Sequence, residues 1–139
     1  MAYQMKRRKP VVETLELVNE YGAVEKTIEL SLDPDAMVKK VSRKYVELLT
    51  IQQKAAQWQK SDDAELAGVV EEVGAAFVDL MEAVFGEEDA HVILDFYENR
   101  VQEMVQEVMP FIAERVIPRL RESAQANRKE RARKYGLKG

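Results

Sequence analysis

The chain has 139 residues, of which 46% are hydrophobic and 33% charged, and it contains one histidine and no cysteine. This balance fits a single soluble, helix-rich globular domain and argues against a disordered chain. The lack of cysteine excludes a disulfide framework, a thiolate nucleophile and a cysteine-ligated zinc site. No apolar run approaches the ~20 residues of a transmembrane helix or follows the basic N-terminal residues as in a signal peptide, so we expect a cytoplasmic protein.

Charge is distributed unevenly along the chain. Residues 6–9 are all Lys or Arg, and residues 119–139 carry eight basic and two acidic side chains. The intervening residues 10–118 carry 9 basic and 23 acidic side chains. An acidic body with two basic ends could attract further copies of itself or an acidic partner, and the ends alone could contact nucleic acid. The simpler interpretation is that both ends are solvated tails.

Residues 11–32 carry the only β-strand signal. Apolar and polar side chains alternate over residues 24–32, and a weaker alternation through Leu15 and Leu17 covers the preceding segment. The turn-rich stretch between them ends at Gly22, which can adopt a positive φ. We expect a β-hairpin that packs on helices or on another chain, because two isolated strands are only marginally stable.

The segment after the hairpin predicts a long helix. Asp33 is a good N-cap, Pro34 suits the first turn, and Asp35 favours the positive end of the helix dipole. Apolar residues spaced by three and four then form one face, and we expect the helix to end near residues 60–61. The residues on this face are Met37, Val38, Val41, Tyr45, Leu48, Leu49 and Ala55.

Two further helices are predicted on either side of Gly86. The first begins at residues 61–63, where Asp62 and Glu65 have the spacing of a capping box. Its apolar stripe is the most regular in the chain and consists of Leu66, Val69, Val70, Val73, Phe77, Leu80, Met81 and Val84. Gly86 should end this helix with a positive φ, and the acidic residues 87–89 should begin the next one, which runs through Phe96.

A fourth helical region covers residues 101–116. It contains Pro110, and Pro118 follows it, so we expect a kink or a break at each proline. Residues 122–139 are strongly basic and have few apolar positions, which indicates a frayed helix or a flexible tail.

The predicted fold class is therefore mainly α (α+β), with an N-terminal β-hairpin followed by a bundle of about four helices. The expected domain comprises residues 11–121, between a basic N-terminal segment (residues 1–10) and the basic tail (residues 122–139).

No catalytic constellation is recognisable in the sequence. His91 follows three acidic residues, but consecutive residues at a helix start point in different directions and do not converge on a metal ion. The isolated glycines do not form a phosphate-binding loop, and no nucleophile motif accompanies the histidine. We therefore expect no enzymatic activity, no metal ion and no cofactor.

We expect a partner-binding surface rather than a catalytic site. Trp58 is either a core residue, which we favour, or an exposed anchor for a partner. In the second half of the chain, apolar residues lie on more than one side of the predicted helices, so that one side can close the core while another binds a partner. A fully buried core helix is the alternative. The predicted partner-binding residues are Phe96, Tyr97, Met104, Met109, Phe111 and Ile112.

The order of these segments resembles that of a known family. After the strand–turn–strand and the helix that begins at Asp33 come Val-Phe-Gly-Glu-Glu at 84–88, Ile-Leu-Asp-Phe-Tyr-Glu at 93–98 and Met-Pro-Phe-Ile at 109–112, before a Lys/Arg-rich end. Over roughly residues 11–121 this layout resembles the tail assembly chaperones of long-tailed, siphovirus-like bacteriophages and prophages of Gram-positive bacteria.

The resemblance implies a non-catalytic role in virion morphogenesis, in the host cytoplasm. Proteins of this family bind the tape measure protein, a long and mostly helical chain, and keep it soluble until the tail tube assembles around it. Self-association of the chaperone is a further expectation. The alternatives are a small nucleic-acid-binding or regulatory protein that uses its basic termini, which the acidic body disfavours, and a structural head–tail or tail component of the virion.

Overall fold

The computed structural model describes residues 2–57, 63–98 and 100–134 of the chain. It consists of an N-terminal two-stranded antiparallel hairpin followed by a helical bundle, as the sequence predicted. The elements are β1 (Val11–Val18), β2 (Val24–Leu32), α1 (Pro34–Gln57), α2 (Asp63–Phe85), α3 (Glu87–Phe96), α4 (Val101–Phe111) and α5 (Ile117–Lys134). A π-helical turn over Ile112–Val116 joins α4 to α5.

The hairpin presents one apolar face to the helices. Val11 pairs with Leu32 and Leu15 with Ile28, and a bulge between Leu17 and Val18 ends the regular register. The alternation predicted for β2 is confirmed for its second half, where Ile28, Leu30 and Leu32 are buried, whereas Val24 is exposed. This packing supplies the support that a lone hairpin lacks in water.

The hairpin turn is organised by Asn19. Its side-chain oxygen accepts hydrogen bonds from the backbone N–H groups of Tyr21 and Ala23, at 2.9 and 3.0 Å. Gly22 has a φ of 82°, which confirms the positive φ expected there. Helix α1 begins as predicted: Asp33 accepts a hydrogen bond from the backbone N–H of Asp35 at 3.2 Å, and Pro34 occupies the first helical position.

The core lies where the middle of the bundle meets the hairpin. Helix α1 contributes Val41 and Leu48, while α2 contributes the regular stripe that the sequence indicated. In that stripe Phe77, Leu80, Met81 and Val84 are buried, whereas Val70 is exposed. The capping pair of Asp62 with Glu65, the side chains of Leu66 and Ala55, and Trp58 lie outside the residues whose structure or side chains are described.

Gly86 separates α2 from α3. This residue has a φ of 84° and a ψ of 163°, a region that L-residues avoid, and its carbonyl accepts the N–H of Ala90 at 3.0 Å. Glu87, Glu88 and Asp89 form the first turn of α3, as expected from the helix dipole.

Of the kink or break that the sequence predicted at each proline, a break is not found. Helical structure is continuous from Val101 to Lys134, with Pro110 inside α4 and Pro118 in the first turn of α5. The π turn lies directly before Pro118, and the N–H of Ile117 bonds to the carbonyl of Ile112, five residues earlier. Widening the helix here relieves the contact that the Pro118 ring would make with the carbonyl of Glu114 in a regular α-helix.

The basic segment after residue 121, for which the sequence suggested a frayed helix or a flexible tail, is helical over its described part. Residues 122–134 are helical in α5, and this helix packs along α1 with Leu120 and Ala124 buried. Asn127 donates a hydrogen bond to Asp35 at 3.4 Å, which joins α5 to the start of α1. Tertiary contacts therefore stabilise a helix that the low apolar content of the segment did not predict.

Within the described part of the chain, the helices are too short or too polar to cross a lipid bilayer.

Candidate partner-binding cleft

A cleft of about 730 Å³ lies between the end of β1, the hairpin turn and the junction of α3 with α4. The hairpin forms one wall and the two helices form the other. Its described lining consists of Leu15, Glu16, Leu17, Val18, Asn19, Glu20, Tyr21, Glu25, Ile93, Phe96, Tyr97, Glu98, Arg100, Glu103, Glu107, Val108 and Phe111.

The hairpin wall owes its position to two local features. The bulge between Leu17 and Val18 shifts the strand register just before the turn, and the side chain of Asn19 holds the turn in place. Because side chains alternate along a strand, Leu15 and Leu17 face the bundle while Glu16 is exposed beside them. One short stretch of β1 therefore supplies both apolar and charged groups to the cleft.

The helical wall carries three of the four aromatic side chains in the described lining, and the fourth, Tyr21, lies in the hairpin turn. Phe96 and Tyr97 end α3 and pack edge to face, with ring centroids 5.0 Å apart and an interplanar angle of 86°. Phe111 stacks on Phe85 with centroids 6.1 Å apart, which anchors it against α2. Phe96, Tyr97 and Phe111 are half-buried, so each packs on the core and also has part of its surface in the cleft, whereas Tyr21 is 87% exposed.

The structure separates the six residues that the sequence predicted for partner binding. Phe96, Tyr97 and Phe111 come together in the cleft. Met109 is half-buried against the core and lies outside the cleft lining. Met104 and Ile112 are completely buried, so a surface role for these two requires a conformation other than this one. The reason is their spacing: Met104, Val108 and Ile112 follow one another at intervals of four and form the core-facing stripe.

Charge is the property of the cleft that sequence analysis missed. Among the described residues that line it, the charged ones are one arginine and six glutamates, namely Glu16, Glu20, Glu25, Glu98, Glu103 and Glu107. Three come from the hairpin and three from the α3–α4 region, which are far apart in sequence. The acidic character of the middle of the chain was visible, but only the packing of the hairpin on the helices gathers these side chains around one cavity.

The single arginine in this lining is already paired with its neighbours. Arg100 lies 3.5 Å from a carboxylate oxygen of Glu98 and 3.8 Å from one of Glu103, and all three side chains are well exposed. Glu98 has a φ of 52°, an uncommon conformation for a residue other than glycine. The turn thus brings three charged side chains to the rim beside Tyr97.

The phenol of Tyr97 is less acidic in this environment than a free tyrosine side chain. Burial raises the pKa of its phenol above the ordinary value of 10.0, and the carboxylates of Glu107 and Glu103 raise it further. The phenol therefore stays protonated at physiological pH and can donate a hydrogen bond. It therefore adds a hydrogen-bond donor to a wall that also carries carboxylates.

Aromatic and aliphatic side chains line the cleft together with six carboxylates, a combination that suits contact with an amphipathic segment. His91 is exposed on α3 and is not among the residues that line the cleft. No group of three His, Asp or Glu side chains in the described ranges is placed to hold a metal ion.

The chain was compared with protein-family models, with curated protein sequences and with solved structures, and none of them matches it.

Proposed function

We propose that this protein is a non-catalytic tail assembly chaperone, which binds the phage tape measure protein and keeps it soluble during tail morphogenesis. The proposal combines the resemblance in segment order with a cleft suited to an amphipathic helical segment. A long helical chain exposes apolar stripes that aggregate unless they are covered. The chaperone covers them by placing its own apolar groups against them.

The observation that carries the proposal is the clustering of Phe96, Tyr97 and Phe111 in one cleft. Aromatic side chains at the edge of a cavity provide a large contact area at a small cost in side-chain entropy. Each cleft is small, so one copy covers only a short stretch of a long partner. Many copies along the same chain would cover it by multivalent binding even if each contact were weak.

Co-expression with the tape measure protein tests this function. We expect the tape measure protein to be soluble when this protein is present and to aggregate when it is omitted. The double variant F96A/Y97A should reduce the soluble fraction several-fold, because it removes the aromatic pair from the cleft wall. Unchanged solubility in the absence of this protein would contradict the proposal.

A matched control separates loss of the cleft from loss of exposed apolar surface in general. Val46 on α1 and Val70 on α2 are 57% and 62% exposed and lie outside the cleft lining. The variant V46A/V70A should keep full chaperone activity, and circular dichroism should show that both double variants are folded. Presence of the protein in purified virions would instead favour the structural-component alternative.

A further inference from the structure

The cleft carries uncompensated negative charge on both of its walls. Glu16 and Glu20 on the hairpin side and Glu107 on the helical side are exposed and have no ion-pair partner among the described residues. Arg100 offsets only part of the charge of Glu98 and Glu103. An occupant with positive charges would remove the mutual repulsion of these carboxylates and gain attraction to them.

The apolar part of the cleft lining restricts the occupant further. It includes Leu15, Ile93 and Val108, and a hydrated inorganic cation would leave these apolar groups uncovered. A nucleic acid would be repelled by the glutamates. The volume of about 730 Å³ is in the range of sites that enclose a small set of side chains rather than a whole domain.

Several basic side chains of the described terminal segments contact other parts of the chain. Arg8 lies 3.3 Å from Glu130, and Lys134 lies over the ring of Tyr3 at 5.3 Å. Arg115 and Arg119 both contact Glu13 on β1. None of these basic side chains is among the residues that line the cleft. Among the described residues Arg100 is the only basic side chain in the cleft lining, so the remaining glutamates are left to cations of a partner.

We propose that the cleft selects an amphipathic helical segment in which lysine or arginine flanks the apolar stripe. The inference rests on the proposed function and adds the charge of the partner segment to it. Aliphatic side chains of the segment pack on Phe96, Phe111 and Leu15, while its cations meet the glutamates of both walls. Selection by charge would let the chaperone distinguish stretches of a long helical chain that share an apolar stripe.

Two synthetic helical peptides test the charge selection on the full-length protein. They share one leucine stripe and carry either lysine or glutamate at the flanking positions. In fluorescence anisotropy titrations we expect the lysine peptide to bind at least tenfold more tightly than the glutamate peptide, and this advantage to shrink at high salt. Equal binding of the two peptides, or binding of neither, would overturn the inference.

Charge-reversal variants locate the effect in the cleft. E16K/E107K places one reversed charge on each wall and should weaken binding of the lysine peptide roughly tenfold. E47K/E71K makes the same change in net charge at exposed positions of α1 and α2 outside the cleft lining, and should leave the affinity within about twofold. An equal loss in both variants would show a general charge effect and contradict a specific site.

Co-expression distinguishes a failure of this inference from a failure of the proposed function. If E16K/E107K still keeps the tape measure protein soluble, the chaperone role stands and the charge selection is wrong. If omission of the wild-type protein leaves the tape measure protein soluble, the chaperone role is wrong, whatever the peptides show.

Discussion

Glu13 is a carboxylate almost enclosed by the protein, with 8% of its surface exposed. It lies on the core-facing side of β1, where alternation also places Leu15 and Leu17. Arg119 donates a hydrogen bond to it at 2.8 Å and also one to the carbonyl of Val12, while Arg115 lies 3.5 Å from its other oxygen. A buried carboxylate is tolerated when such partners surround it. This contact joins the hairpin to the π turn and α5.

Replacing Arg119 should therefore cost more stability than replacing another arginine of the same helix. We expect R119L to lower the free energy of unfolding by about 1–3 kcal/mol, because it leaves Glu13 with only one charged partner. Arg121 is exposed and has no ion-pair partner among the described residues, so R121L should change stability by less than about 0.5 kcal/mol. Urea unfolding of both variants measures the difference, and equal effects would show that the Glu13 contact contributes nothing.

At the scale of elements, the π turn keeps the long final helix in contact with the core. The buried residues Met104, Val108, Ile112 and Val116 are spaced by four, which exceeds one α-helical turn of about 3.6 residues, so their stripe drifts around the helix. A π-helical turn contains about one residue more than an α-helical turn, so the π turn over residues 112–116 corrects this drift. Both Val116 and Ile117 are consequently buried.

Substitutions of two glycines by alanine test where α2 ends. Gly86 has a positive φ between α2 and α3, whereas Gly74 lies inside α2, and a Cβ would meet no atom within 4 Å at either position. We expect G86A to destabilise the protein by about 1–3 kcal/mol through backbone strain. G74A should stabilise it by about 0.5–1 kcal/mol, because alanine loses less conformational entropy in a helix. Thermal or urea unfolding should show opposite signs, and the same sign for both would contradict the described boundary.

At the scale of the whole molecule, α5 brings the two basic ends of the chain together. It packs along α1, and the N-terminal segment reaches it through the contacts of Arg8 with Glu130 and of Tyr3 with Lys134. Basic side chains of both terminal segments therefore lie near α5, while six glutamates line the cleft. The molecule has two chemically different surfaces, although its net charge is only −4.

The contribution of α5 packing to stability can be measured by truncating a buried leucine of α5 and, for comparison, an exposed leucine of α1. Leu120 is completely buried, whereas Leu49 on α1 is 36% exposed. We expect L120A to lower the free energy of unfolding by about 2–5 kcal/mol, as for other buried leucines, and L49A to cost less than about 1 kcal/mol. A small effect of L120A would contradict the packing of the first turns of α5 on the core.

By itself the sequence determined the order of the elements, the hairpin, the N-cap at Asp33, the positive φ of Gly86 and the core-facing stripe of α2. These features depend on local periodicity and on backbone preferences of single residues, which a sequence displays directly. Only the tertiary structure decided the continuity of the helix past Pro110 and Pro118, the packing of the basic segment, and the burial of Met104 and Ile112. It also decided the cleft, because Glu16 and Glu107 lie in distant segments and become neighbours only when the hairpin packs on the helices.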